Sequence, residues 1–190
     1  MSQAAGPRLC GLAVADEPEA WRRLGFAVDG DRLSLAQVPV KLGVPGRGIV
    51  SWKLCGLATL PDLAGVGTAA GDGEPGPGER PEPVTHPNGA TGIDHVVLIS
   101  PTFERTAGEL ERVGMPLRRF TRSREGVQQG FRRLGPAILE LVEAPQTPAP
   151  LLWGLTLIVA DLDALAVRLG DDLGPVKNAV QPGRRIATLR

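Results

Sequence analysis

GIDHVVLISPTFERTAGELERVGMPLRRFTRSREGVQQGFRRLGPAILELVE, residues 92–143, is the stretch whose reading decides the fold. Residues 93–99 are almost continuously apolar and rich in Val and Ile, interrupted only by Asp94 and His95. A run that short and that β-branched reads as a strand. Ser100 and Pro101 end it, and Ser100 or Thr102 can cap a helix whose apolar positions Phe103, Ala107, Leu110 and Val113 recur three or four apart until Gly114 stops it. Three strand-length pieces follow, over residues 116–122, 127–134 and 137–142, the last carrying Glu140 between Leu139 and Leu141. The order is βαβββ, and the class is α+β.

Strand alternation puts Ile93, His95, Val97 and Ile99 on one face of the first strand and Asp94, Val96 and Leu98 on the other. Ile138, Glu140 and Val142 share a face of the last. If these strands are neighbours, an imidazole and a carboxylate meet in an apolar trough, where a carboxylate needs a cation, a donor or a proton. A divalent metal, a hydrogen bond from His95, or one of Arg119, Arg132 and Arg133 would satisfy it. On the third strand Gln128, Gln129 and Phe131 either line this cavity as substrate-binding side chains or form sheet surface and core.

Working outward, residues 9–60 repeat the pattern in reduced form. A strand, CGLAVAD, leads into a short helix, PEAWRRLG, then into strand-like pieces at residues 26–28, 32–42 and 49–57. Val14-Ala15-Asp16, six residues, Arg23-Leu24-Gly25 recurs as Val159-Ala160-Asp161, six residues, Arg168-Leu169-Gly170. That spacing marks an internal repeat and places Asp16 and Asp161 at equivalent strand-to-helix junctions. The chain therefore divides into an N-terminal βαβββ-like unit (1–66), a linker (67–91), and a domain over 92–190 made of a complete unit (92–143) and a partial one (151–190). GDGEPGPGERPEPVTHPNG within the linker holds almost no apolar residue, so a mobile, partly polyproline-like segment with a solvated His86 is expected there. In the partial unit, residues 153–160 and 184–190 read as strands and no further strand follows; an unfinished sheet leaves an edge that invites a second copy as a homodimer.

With 21 basic and 21 acidic side chains, nothing global points to nucleic acid or a membrane as partner. Locally, eight Arg lie between Arg105 and Arg133. Cys10 and Cys55 lack CxxC spacing, which argues against structural zinc and, read as separate thiols, fits a reducing cytoplasm. No signal-like start or run of about 20 apolar residues appears, so a soluble cytoplasmic protein is expected.

The βαβββ order, with His95 early in the first strand and Glu140 in the middle of the last, resembles one repeat unit of the vicinal-oxygen-chelate superfamily, the glyoxalase, bleomycin-resistance and extradiol-dioxygenase group. HPNGATGIDHVVLISP, FRRLGPAILELVE and AVQPGRRIATLR look like segments of glyoxalase-like proteins. The resemblance implies paired units whose curved sheets enclose a cavity, a divalent metal ion held by His95 and Glu140, and Glu140 as the catalytic residue. The further ligands of such a site would come from a partner unit, where the position of His95 is matched by Leu155 in the third unit and roughly by Cys10 in the first, and that of Glu140 by Ser51 or Trp52. Two ligands and water bind a metal weakly. Two functions follow from the resemblance: a metal-dependent lyase, isomerase or dioxygenase acting on a small organic molecule, or a metal-free small-molecule binding protein of the bleomycin-resistance type. Arg185, in the turn Gln181-Pro182-Gly183-Arg184-Arg185, either holds an anionic substrate or is a solvated turn charge.

Overall fold

Val96, Leu98, Leu139 and Leu141 are each 0% exposed, and the two strands that carry them build the centre of the second of two five-stranded sheets. The computed structural model describes residues 6–63, 65–71, 84–123 and 125–190. In chain order the elements are β1 (Arg8–Val14), α1 (Pro18–Arg23), β2 (Arg32–Leu35), β3 (Val38–Lys41), β4 (Ile49–Cys55), β5 (Gly67–Ala70), β6 (Ala90–Ser100), α2 (Phe103–Arg112), β7 (Arg119–Arg122), β8 (Gln128–Leu134), β9 (Ala137–Glu143), β10 (Leu151–Val159) and α3 (Leu162–Leu169). A short 3-10 turn, Gly170–Asp172, then leads to β11 (Lys177–Asn178) and β12 (Arg185–Ile186). The sheets run β2-β3-β1-β4-β5 and β10-β6-β9-β8-β7. One apolar core joins them, taking Leu12, Leu35 and Trp52 from the first and Val96, Leu98, Leu139 and Leu141 from the second. The architecture is α+β, built on βαβββ units.

The central unit forms as its sequence dictates. β6 runs parallel to β9, and β8 joins β9 and β7 antiparallel. Helix α2 buries Phe103, Thr106 and Leu110, and its entry is fixed by Ser100, whose hydroxyl accepts from the Thr102 amide at 3.1 Å and bonds Thr106 Oγ1 at 2.8 Å. β10 pairs antiparallel with the other edge of β6. As the end strand of the sheet it leaves Leu151, Trp153 and Ile158 exposed.

The first sheet repeats this plan with one correction to its expected strand order. Residues 32–42 do not make one strand; a turn at Ala36, with a φ of 54°, folds them into the hairpin β2–β3. β3 is then the parallel neighbour of β1, with Leu12 opposite Val40 as Val97 is opposite Glu140. β4 is the antiparallel neighbour, in the place that β10 takes beside β6. The residue corresponding to Glu140 is therefore buried Val40, not Ser51 or Trp52. Residues 26–28 form no strand, and of residues 184–190 only Arg185–Ile186 do.

Asp16 and Asp161 both stand where a strand turns into a helix, but with different tasks. Asp161 caps α3, accepting from the amides of Asp163 and Ala164 at 3.0 and 2.9 Å. Asp16 instead accepts from the indole N–H of Trp21 at 3.2 Å. The repeated Arg-Leu-Gly triplets meet in space: Arg168 donates to the Pro87 carbonyl at 3.3 Å and lies across Gly25, whose φ of +84° and missing side chain leave room for the guanidinium.

The Pro/Gly-rich segment is ordered at both ends. Residues 67–70 form β5 beside β4, with Trp52 Nε1 donating to Thr68 Oγ1 at 2.8 Å. The stretch 72–83, about half of the expected linker, lies outside the described residues. His86 is not solvated but 3% exposed. Its Nδ1 accepts from the Ala27 amide at 3.1 Å and its Nε2–H donates to the Ser34 carbonyl at 2.8 Å, so it is the Nε2–H tautomer. Asn88 adds a bond to the Leu24 carbonyl at 3.0 Å. Together they fasten the start of β6 to the first unit.

Cys10 and Cys55 are also not separate thiols; they form a disulfide across β1 and β4. The inference of a reducing compartment from unpaired cysteines falls away with it. Among the described residues no helix is long and apolar enough to cross a membrane.

Replacing His86 by Ala would leave the Ala27 amide and Ser34 carbonyl without their partner. We expect the variant to lose about 2–4 kcal/mol of stability in urea unfolding; a loss below about 0.5 kcal/mol would show that the clamp does not hold the two units.

Candidate ligand-binding trough

The parallel register of β6 and β9 sets His95 opposite Ile138 and Val97 opposite Glu140. His95, Ile138 and Glu140 therefore share one face, opposite to the core face of Val96, Leu98, Leu139 and Leu141. On β8, Phe131 stands opposite Glu140 and Gln129 opposite Val142, which brings both to the same face. All five line an open trough of about 2580 Å³ together with Trp153, Leu155 and Leu157 of β10 and residues of α3 and the C-terminal segment. That space exceeds the ~300–1,000 Å³ of ordinary small-molecule pockets, so a ligand would occupy one part of it.

Asp94 breaks the expected alternation. β6 pairs with β10 at His95↔Thr156 and next at Ile93↔Leu157, which leaves Asp94 as an extra residue in a β-bulge. A bulge redirects side chains, and Asp94 lines the trough beside His95 rather than joining the opposite face. Its Oδ2 accepts from His95 Nδ1 at 2.6 Å, and its Oδ1 takes Arg184 Nη1 at 2.9 Å. This contact fixes the ring with Nδ1 as donor. His95 Nε2 has no hydrogen-bond partner among the described residues, and the ring meets Phe131 edge-on at 6.2 Å between centroids.

Glu140 finds a donor that its sequence environment did not single out. Gln129 Nε2 donates to its Oε1 at 3.0 Å, while Gln129's own carbonyl accepts from Thr121 Oγ1 at 3.2 Å. Burial raises the pKa of the Glu140 carboxyl above its ordinary value, and the nearby His95 partly offsets this. Arg132, one of the expected donors, turns to the Pro116 carbonyl at 3.2 Å, and burial, then Arg118, lower its pKa. Arg185 forms a two-pronged ion pair with Asp163 at 2.7 and 2.8 Å. Its neighbour Arg184 is the one that reaches the His95–Asp94 pair.

As a place for a divalent ion the trough is poorly furnished. His95 Nε2 and one oxygen of Glu140 are available, but both Asp94 oxygens are engaged by His95 and Arg184. Beside His95, β10 offers Leu155 and Thr156. Among the described residues no three His, Cys, Asp or Glu side chains converge as a metal site requires.

No family model matches the chain, and no curated protein matches it. Solved structures do. A mutant of 4-hydroxymandelate synthase from Streptomyces coelicolor superposes over 90% of this chain and 77% of its own, with a TM-score of 0.57 and 17% identity. A xylose isomerase-like TIM barrel/4-hydroxyphenylpyruvate dioxygenase fusion protein gives 0.64 at 13% identity, over 92% of this chain but only 40% of its own. BphC, a halotolerant catechol dioxygenase, gives 0.50 at 14% identity over 87% of this chain and 74% of its own. The chain shares the fold of these structures, as its resemblance to the vicinal-oxygen-chelate superfamily implies. Within this fold, His95 and Glu140 stand on adjacent strands and face a common trough. At these identities the likeness establishes the fold and leaves the chemistry to the side chains.

The raised pKa of Glu140 has a consequence for stability. Its carboxyl binds a proton more readily in the folded than in the unfolded chain, so the stability it contributes below the ordinary carboxylate range is lost as pH rises through its folded value. Glu140→Gln, which keeps an oxygen for Gln129, should be more stable than the wild type in urea at about pH 7, with the difference vanishing near about pH 3. A variant less stable at neutral pH would contradict the burial of a costly charge.

Proposed function

We propose that the trough binds a small organic ligand directly, without a resident metal, through His95 Nε2 and the carboxyl of Glu140. The observation that carries this reading is that each group already has a protein partner fitted to hold it. Asp94 orients the imidazole and Gln129 holds the carboxyl, while Phe131, Ile138 and Leu155 supply apolar wall. Such a site presents two convergent polar groups in an apolar recess, a common composition of small-molecule sites. A half-buried carboxyl with a raised pKa can also donate a proton to a ligand oxygen, and an imidazole held by a carboxylate can take one up.

A second reading keeps the metal. It is favoured by the placement of His95 and Glu140 on adjacent strands facing one cavity, the positions at which the resemblance puts a ligand pair. A divalent ion there would supply Lewis-acid polarisation of ligand oxygens, with His95 and Glu140 holding it. The neighbours' names, a mandelate synthase and a catechol dioxygenase, suggest oxygen-bearing aromatic molecules for either reading.

Metal analysis of protein purified without chelator or polyhistidine tag, together with ligand titration of chelator-treated protein, distinguishes them. We expect less than roughly 0.1 equivalent of divalent metal per chain and unchanged binding after chelation, with Glu140→Gln retaining binding within roughly tenfold. Stoichiometric metal that Glu140→Gln removes would overturn the first reading in favour of the second.

A further inference from the structure

The arginines of the central unit and of the C-terminal segment divide by where they go. Arg112 pairs with Glu109, Arg132 bonds the Pro116 carbonyl, Arg122 bonds the Gly126 carbonyl, and Arg184 and Arg185 take Asp94 and Asp163. Arg119 and Arg133 differ from these. Arg119 is opposite Phe131 across β7 and β8, and Arg133 lies two residues further along β8, opposite Ile138. Register therefore puts both on the trough face with Phe131, Ile138 and Glu140, and both line the trough. Among the described residues neither has a carboxylate partner. The Arg119 guanidinium carbon lies 5.8 Å from the centroid of the Phe131 ring. Residues related as Arg119 and Arg133 are, diagonal on one sheet face, have Cα atoms about 7–8 Å apart, within which two arginine side chains can converge on one group.

Phe131 has Arg119 across β7 on one side and Glu140 across β9 on the other, while Arg133 follows it on β8 and His95 meets its ring edge-on. Two guanidiniums without a carboxylate partner among the described residues, next to an aromatic face, form a recognition element for a planar anion, because the guanidinium fork matches a carboxylate in two hydrogen bonds. We propose that Arg119 and Arg133 bind the carboxylate of an aromatic organic acid whose ring packs on Phe131 and whose far end faces His95 and Glu140. The assignment rests on the small-molecule reading of the trough and adds to it the charge and shape of the ligand.

The test uses 2-naphthoate and its neutral isostere 2-naphthamide, titrated by calorimetry into the full chain, with Trp153 fluorescence as a second readout. We expect naphthoate to bind at least tenfold more tightly than naphthamide. The Arg119→Gln/Arg133→Gln double variant should abolish that preference while keeping the wild-type melting temperature, and Arg112→Gln, whose partner is Glu109 outside the trough, should leave it intact. Equal binding of acid and amide, or a preference that survives the double variant, would overturn the carboxylate assignment while leaving the trough as a small-molecule site. Failure of both probes to bind would count against the trough reading itself and the carboxylate assignment with it.

Discussion

The parallel pairing of β6 with β9 is the constraint from which the rest of the molecule follows. Its register is fixed from the core side, where Val96, Leu98, Leu139 and Leu141 are withdrawn completely from water. Burying side chains of this size contributes about 1.5–3 kcal/mol each. A slip of one residue would turn all of one strand's set toward the trough and bring Glu140 into the core. The positions of His95 and Glu140 are thus maintained by apolar packing on the other face, and the polar site need not stabilise itself. That matters because a carboxyl whose pKa is raised by burial works against stability at neutral pH.

Around this frame, short elements supply precision. The bulge in β6 carries Asp94 to the face where it can orient His95, and the segment before β12 delivers Arg184 to the same carboxylate. The third unit, although reduced to β10, α3 and two two-residue strands, therefore reaches the centre of the site. The first unit has no such polar pair. At the places corresponding to His95 and Glu140 it has Cys10, tied to Cys55, and buried Val40. Its contribution is core and the clamp through His86 and Asn88.

Much of this is legible in the residues. The apolar run of β6, the three-and-four spacing in α2 and the turn glycines give the central unit its order, and period-two alternation groups His95 with Ile93 and Val97 and Glu140 with Ile138 and Val142; that the two strands are neighbours is implied by the resemblance, not by alternation. What sequence reasoning misses has identifiable physical causes. The Ala36 turn carries no glycine or proline, so a hairpin reads as one long strand and β4 is taken for the counterpart of β9. Alternation assumes no bulge and so sends Asp94 to the wrong face. Cys10 and Cys55 are 45 residues apart, and nothing local reveals that antiparallel pairing brings them together. His86 lies among residues typical of solvated linkers, yet its two ring nitrogens meet backbone groups about 50 to 60 residues away, a tertiary arrangement outside any local pattern.

The shared placement of His95 and Glu140 can be tested most directly by following the Glu140 carboxyl carbon by NMR through a pH titration, in the wild type and in His95→Gln. The register predicts a midpoint above the ordinary carboxylate range in the wild type, because the group is half-buried, and a still higher one in the variant, because the interaction with His95 that favours the charged carboxylate is gone. An unshifted midpoint that does not respond to the loss of His95 would contradict the placement of the two side chains in one trough.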